Sequence, residues 1–490
     1  MEELKASYVK GSLAVGAGMA ASVMAGFVSL YCLTRILEKE AFGGYGFAAT
    51  LVAMVSIFAT GGLERALLLN VGAGAGRRSE IAGGGLVLKC CAAALILCGF
   101  LVVAMVLGAD ALVARGVTAS VGFWLPAQAL SVLPITMIVL LRTWLQSNHR
   151  VPLSVSLPGM TDALRSIGLV VTLLFGLGVT GVVGAVYLSV AFALGILLMS
   201  VRSKVRWEPS RLTLSDLSNG TLYTSQKLVR QRFQQFDILI LGLIASGAVV
   251  AEYLVAARLA QLGMIGTFAL SPSFMPRARR LYVTGNLAGL IEEYHLVRLA
   301  CLLVACGGAA AFAVLGGPIL SIFGSYHVAY GVLLILSAAM VVNMTTAIGA
   351  QLLTVTGEVR KPTAVQLVAF AVFAGAALVL GPRYGGEGVA LAVLIGFTVK
   401  EIGLSALIYR YFGAAGLAPW SLGAVVVAAA ALCAGAVGVV PPIATAGAVG
   451  LAAGLAVLLD RHAATFALAV RGVVAGVLAH TGRAMARRVR

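Results

Sequence analysis

The chain has 490 residues, 60% of them hydrophobic and 11% charged, with 35 basic against 18 acidic side chains and a mean hydropathy of +1.02. Soluble domains carry about 25% charged residues, so this composition excludes a disordered chain, a secreted disulfide scaffold and an ordinary soluble enzyme. A membrane-spanning helix needs about 20 apolar residues, or roughly 35 with its connection. The length therefore holds about fourteen spans and leaves no room for a large water-soluble domain.

In chain order, apolar segments fall at 11–34, 44–63, 85–108, 120–141, 153–175, 179–201, 220–245, 248–270, 296–317, 328–354, 363–381, 386–409, 417–439 and 441–459. The seventh is the least apolar, because Lys227, Arg230 and Arg232 lie in its first half. After Asp460 the apolar residues recur at helical spacing among six arginines, which suits an amphipathic helix on a membrane surface. The first segment reads as an uncleaved span, since it is long and continues into helix-like sequence. The expected fold class is an all-α polytopic membrane protein with about 14 transmembrane helices.

The basic residues orient these segments. With a cytoplasmic N-terminus, 28 of the 35 fall in inside regions and four outside, namely Arg35, Lys39, Arg115 and Arg383. Arg165, Arg258 and Lys400 lie within spans. This bias accounts for the net charge of +17 as membrane topology, with both termini cytoplasmic and no nucleic-acid partner.

The chain also repeats itself. The stretch from Leu33 aligns without a gap on the stretch from Leu241, placing Tyr45 on Tyr253 at an offset of 208. Arg150 and Pro152 match Arg360 and Pro362, and the stretch near Gly181 matches that near Gly385. Three matches in order argue for two six-helix halves, parallel because each half has an even number of spans. The expected organisation is an N-lobe (1–205), a cytoplasmic linker (206–218), a C-lobe (219–412), an extra helix pair (413–460) and a basic cytoplasmic tail (461–490).

No catalytic motif is present: HExxH, GxSxG and a Walker loop are all missing, so no enzyme activity is expected. The seven cysteines sit in apolar runs without metal-ligand spacing, and the five histidines suggest no metal site. The 59 glycines read as helix-packing positions rather than phosphate cradles.

The informative residues are ionisable groups within spans, which are expensive in lipid and face a cavity or a partner. Arg165 lies one turn after Asp162, beyond a kink expected at Pro158. It forms either a self-neutralising pair with Asp162 or part of a cavity lining. Arg258 has no acid at i±3 or i±4, which favours a cavity role over a partner on another helix. Arg230 and Arg232 divide between phospholipid anchoring and substrate contact. Asp237 either holds Na+ or H+ as a coupling ion or pairs with an arginine. Glu64 and Arg65 read as an interfacial pair or a substrate contact. Arg142, Lys400 and Glu401 read as snorkelling or surface-paired groups. The excess of buried guanidinium suits an anionic headgroup, and a diphosphate matches it with bidentate geometry.

Three stretches carry a family resemblance. DILILGLIASGAVVAEYLVAARLAQL from Asp237 resembles the seventh and eighth helices of polysaccharide flippases. LLTVTGEVRKPTAVQL followed by PRYGGEGVALA, within 352–392, resembles their tenth-to-twelfth helices, and GSLAVGAG with FGGYGF their N-terminal segment. Over residues 5–412 the chain resembles the Wzx-like branch of the multidrug/oligosaccharidyl-lipid/polysaccharide (MOP) exporter superfamily. The resemblance implies a flippase of the bacterial inner membrane that moves undecaprenyl-diphosphate-linked oligosaccharide outward by alternating access. Its partners would be that substrate, membrane lipids and polysaccharide polymerase or assembly proteins. It implies no cofactor beyond a coupling ion. A cation-coupled drug or metabolite antiporter of the same fold, a lipid II flippase and a non-transporting scaffold are the alternatives. The related lipid II flippase carries charged residues in its first helix, whereas this sequence has none between Lys10 and Arg35.

Overall fold

A computed structural model describes residues 22–60, 77–114, 120–147, 151–202, 235–358, 360–413 and 419–459. All regular structure among them is helical. In chain order the helices are α1 (Ser22–Ile36), α2 (Lys39–Thr60), α3 (Arg77–Ala114), α4 (Ser120–Ala129), α5 (Val132–Ser147), α6 (Val151–Phe175), α7 (Gly178–Arg202), α8 (Gln235–Ile244) and α9 (Gly247–Ala260). They continue as α10 (Ile265–Val283), α11 (Leu287–Ile322), α12 (Tyr330–Asn343), α13 (Gly349–Val355), α14 (Arg360–Phe412), α15 (Pro419–Ala436) and α16 (Pro442–Leu459). Among the described residues, seven helices are long and apolar enough to cross a membrane, and the bent pair α4–α5 makes up to eight. The α14 stretch is two arms meeting at Gly385, whose φ of 56° only glycine adopts readily.

Helix starts keep the sequence offset. Lys39 opens α2 and Gly247 opens α9, 208 positions on, and Gly178 opens α7 as residue 386 opens the second arm of α14, again 208 on. Elsewhere the elements depart from the sequence pattern. The apolar segment at 120–141 is broken into α4 and α5, bent by 43°. Apolar periodicity could not reveal that break, because the residues on both sides are equally hydrophobic.

The chain packs as two compact units. The first comprises residues 1–256, 318–329 and 374–392. Close helix approach through small residues organises it, as expected where lipid removes the hydrophobic drive between helices. On α2, a Cβ at Gly43 would lie 1.9 Å from the Gly247 carbonyl oxygen, and one at Gly46 would strike Leu254. Beside this seam Tyr45 packs edge-on against Trp124 at 5.2 Å. Farther along, Leu140, Trp144 and Leu145 of α5 close a core with Leu157 of α6 and Leu197 of α7.

The second unit comprises residues 257–317, 330–373 and 393–490. Helix α12 is its spine: every residue from Gly331 to Asn343 is buried, as an all-round apolar helix requires. Phe274 of α10, Tyr294 of α11, Leu352 of α13 and Ile408 of α14 form the adjoining core. Between α12 and α13 the helix is interrupted at residues 344–348, and Ala347 takes a φ of 44°, rare for a residue with a Cβ.

Candidate functional site

The ionisable residues within the helices fall into five settings. In the first unit, Asp237 opens the apolar part of α8 and is buried at 3% exposure. Its carboxylate accepts a hydrogen bond from the Tyr253 hydroxyl of α9 at 2.7 Å and one from the Ile238 backbone N–H at 2.7 Å. Tyr253 is fully buried. This is the repeat-related tyrosine, and its hydroxyl meets the carboxylate that the sequence marked as an ion site.

A second polar seam joins α1 to α6. Arg165 Nη2 lies 3.3 Å from Asp162 Oδ1, so the local pair forms, with both side chains about one-third exposed. The Ser22 hydroxyl donates to the other oxygen of Asp162. One turn on, Ser166 bonds the Ala25 carbonyl at 2.6 Å and lies 2.8 Å from Ser29 Oγ. Asp162 is thus satisfied from two sides, while Arg165 keeps part of its guanidinium surface open.

Arg258 has a different environment. From Val250 to Ala260 every residue of α9 is buried except Glu252, which is partly covered, and Arg258, which is exposed. An arginine facing acyl chains is costly, so an exposed arginine on a packed helix is a candidate contact for a polar or charged group.

The fourth setting was not visible in sequence. At the start of α2, Lys39 Nζ lies 2.7 Å from Glu252 Oε1 and 2.7 Å from the Ser325 carbonyl, and sits over the Tyr326 ring. The neighbouring Glu40 carboxylate accepts the Gly247 and Ala248 N–H groups at 3.3 and 3.0 Å. A helix start has unsatisfied N–H groups and partial positive charge, so Glu40 acts as its cap from a different helix. Arg35 donates to the Ile322 carbonyl at 3.0 Å. Two of the four basic residues assigned to outside regions therefore work as clamps.

The fifth setting corrects an expectation. Of Lys400 and Glu401, read as snorkelling or surface-paired, Glu401 is buried in the second unit and Lys400 is largely covered, with side-chain exposures of 5% and 16%. The reason is non-local: Asn343, 57 positions earlier, accepts from Lys400 Nζ, and Thr346 N and Oγ1 donate to Glu401 Oε2 at 2.9 and 2.6 Å.

Arg230, Arg232, Glu64 and Arg65 lie outside the described residues, as do the linker 206–218 and the tail 461–490. The six described cysteines are free thiols, five of them buried, in keeping with their reading as small packing residues.

Residues 8–277 match the family model described as polysaccharide biosynthesis protein, more than half of the chain. The chain belongs to the polysaccharide biosynthesis protein family. None of the curated proteins compared matches it. Its fold is shared with solved transporters. An inward-facing multidrug-resistance MATE transporter of the MOP superfamily is 16% identical, with 80% of this chain and 96% of that one covered at a TM-score of 0.65. The lipid II flippase MurJ, in an inward closed conformation, is 13% identical, with 89% and 98% covered at 0.65. A MOP-superfamily transporter from Pyrococcus furiosus, for which a reverse polarity of the binding pocket suggests a different function, is 16% identical, with 82% and 94% covered at 0.57. The family is that of polysaccharide biosynthesis proteins, and the fold is the multi-span helical one shared with solved transporters and a lipid flippase.

Proposed function

We propose that this member of the family carries an undecaprenyl-diphosphate-linked oligosaccharide from the cytoplasmic to the outer leaflet of the bacterial inner membrane, by alternating access through a cation-lined cavity, for O-antigen, capsule or exopolysaccharide assembly. The observation that carries the reading is Arg258, exposed on a helix otherwise almost wholly buried. Diphosphate oxygens match the paired N–H groups of a guanidinium, which makes an exposed arginine a fitting contact for such a headgroup. Arg165 supplies a second cation, Asp162 fixing its position; Arg230 and Arg232 are further candidates, with Glu64 and Arg65 after them. Asp237 takes part in coupling to Na+ or H+. An inside-negative potential favours outward movement of an anion by about 2.3 kcal/mol per charge per 100 mV. Both termini are cytoplasmic on this reading, and membrane lipids and a polysaccharide polymerase are partners.

The test is complementation of a strain lacking the native protein. Arg258→Ala and Arg165→Ala are each expected to lower polymer export at normal protein level. Full export from both removes the assignment. A second reading, a cation-coupled drug or metabolite antiporter, is supported by the likeness to the MATE transporter and by the buried Asp237. A drug-resistance phenotype with unchanged glycan export favours it. A lipid II flippase is the third reading, supported by the likeness to MurJ; rescue of peptidoglycan synthesis separates it from the first.

A further inference from the structure

The interruption between α12 and α13 collects oxygen atoms around a buried carboxylate. Glu401 is 4% exposed and Asn343 6%. Oε2 of Glu401 is engaged by the Thr346 backbone N–H and hydroxyl. Oε1 accepts no hydrogen bond, although Lys400 Nζ lies 2.8 Å away. That contact is a charge pair without hydrogen-bond alignment. The same ammonium donates to Asn343 Oδ1 and stands 5.0 Å from the centre of the Phe397 ring. Asn343 is the last residue of α12, where the helix dipole is negative and favours cations.

Adjacent residues on a helix point about 100° apart and do not ordinarily face each other. Lys400 must fold back along its own helix to reach Glu401, so the pairing is directed by the oxygens at the break rather than by sequence proximity. The other charged neighbour, Arg298, sends Nη1 to the Thr345 carbonyl at 3.4 Å, and Tyr294 donates to the Thr346 carbonyl at 3.1 Å. These two brace the backbone of the break. A carboxylate oxygen, an amide oxygen and a helix C-terminus around one positive charge are the donor set of a small alkali cation at an unwound membrane helix.

We propose that this oxygen pocket is a monovalent-cation site whose resident cation is the tethered ammonium of Lys400. The lysine fills the place a Na+ would take, so the site neither needs nor binds sodium in the wild-type chain. Withdrawing the lysine removes the cation in contact with Glu401 Oε1 and leaves Arg298, which donates to the Thr345 carbonyl, as the remaining buried cation near the carboxylate; a free Na+ then takes the vacated place. The inference goes beyond the transport reading and does not depend on the substrate.

The experiment measures Tm of the purified full-length protein in NaCl against choline chloride at equal ionic strength and pH 7. Lys400→Met is expected to gain a saturable, sodium-specific rise of roughly 3–5 °C, absent from Lys400→Met/Glu401→Gln. Wild type and Glu401→Gln are expected to respond to sodium equally, so that any effect at Asp237 cancels. A Lys400→Met protein with no sodium-specific rise, a rise that survives Glu401→Gln, or one reproduced by lowering pH without sodium overturns the proposal. Should Lys400→Met fail to accumulate, the wild-type comparison still decides: a sodium response lost in Glu401→Gln contradicts a site already filled by the lysine, and equal responses support it.

Discussion

Lys39 and Glu252 form an ion pair of 2.7 Å between the first turn of α2 and the second turn of α9, 213 positions apart. The two helices are counterparts in the internal repeat, and their starts also meet through Gly43 and Gly247. The pair is partly exposed, so its own contribution is about 1 kcal/mol or less. Its value lies in joining a backbone cap, a carbonyl clamp and an ion pair at one seam. Under alternating access this seam would have to part. Lys39→Ala is expected to leave Tm within about 2 °C while changing the accessibility of a cysteine placed at Ser325. Unchanged labelling there would show that the clamp does not hold the seam.

Glu40 predicts a separate stability effect. Its carboxylate replaces the missing partners of the Gly247 and Ala248 N–H groups. Glu40→Ala is expected to cost about 1 kcal/mol, the range of a lost helix cap, and Glu40→Gln less. Thermal unfolding in detergent measures both, and equal Tm values for Glu40→Ala and wild type would contradict the cap.

Gly43 sets the approach of α2 to α9. An added methyl would overlap backbone, not a movable side chain. Gly43→Ala is expected to destabilise by about 3 kcal/mol through forced separation of the helices. Gly99→Ala, where no atom lies within 4 Å, serves as the neutral control. Similar losses from both would contradict the close contact.

Much of this was legible in the sequence because it is periodic or local. Hydropathy located the helices, and the offset of 208 between the matched stretches recurs in the starts of α2 and α9. The Asp162–Arg165 pair was legible for the same reason, one turn apart on one helix. Lys39 and Arg35 were read only as outside charges, since their partners lie more than 200 positions away. Burial of Glu401 was missed because Asn343 and Thr346 come from another helix. The break at 344–348 left no Gly or Pro signal, because it falls on Ala347, held in an unusual conformation by tertiary bonds.

The loop before α14 predicts a pH effect. Hydrogen bonds from the Tyr411 hydroxyl and the Lys361 ammonium hold the partly exposed Glu358 carboxyl below its ordinary value of 4.5. A depressed acid stabilises above its unfolded pKa, and this is lost as pH falls through the folded value. Glu358→Gln is therefore expected to lower Tm at pH 7 and to match wild type once the acid is protonated, below the folded value. A difference that persists unchanged into acid would contradict the assignment.

Tyr253 predicts the importance of the Asp237 setting. Tyr253→Phe removes a buried donor to a carboxylate and is expected to cost about 1–3 kcal/mol. Asp237→Asn keeps a hydrogen-bond acceptor for the tyrosine and is expected to fold, while transport loses its dependence on an imposed Na+ or H+ gradient. Gradient dependence that survives Asp237→Asn places coupling elsewhere.

On the proposed function, Arg258 and Arg165 receive an anionic lipid-linked headgroup. Reconstitution into proteoliposomes with labelled undecaprenyl-diphosphate oligosaccharide is the decisive measurement. Protein-dependent transfer between leaflets is expected, slowed about tenfold or more by Arg258→Ala at equal protein. Transfer at the wild-type rate by both Arg258→Ala and Arg165→Ala, or no transfer by the wild type, would contradict it.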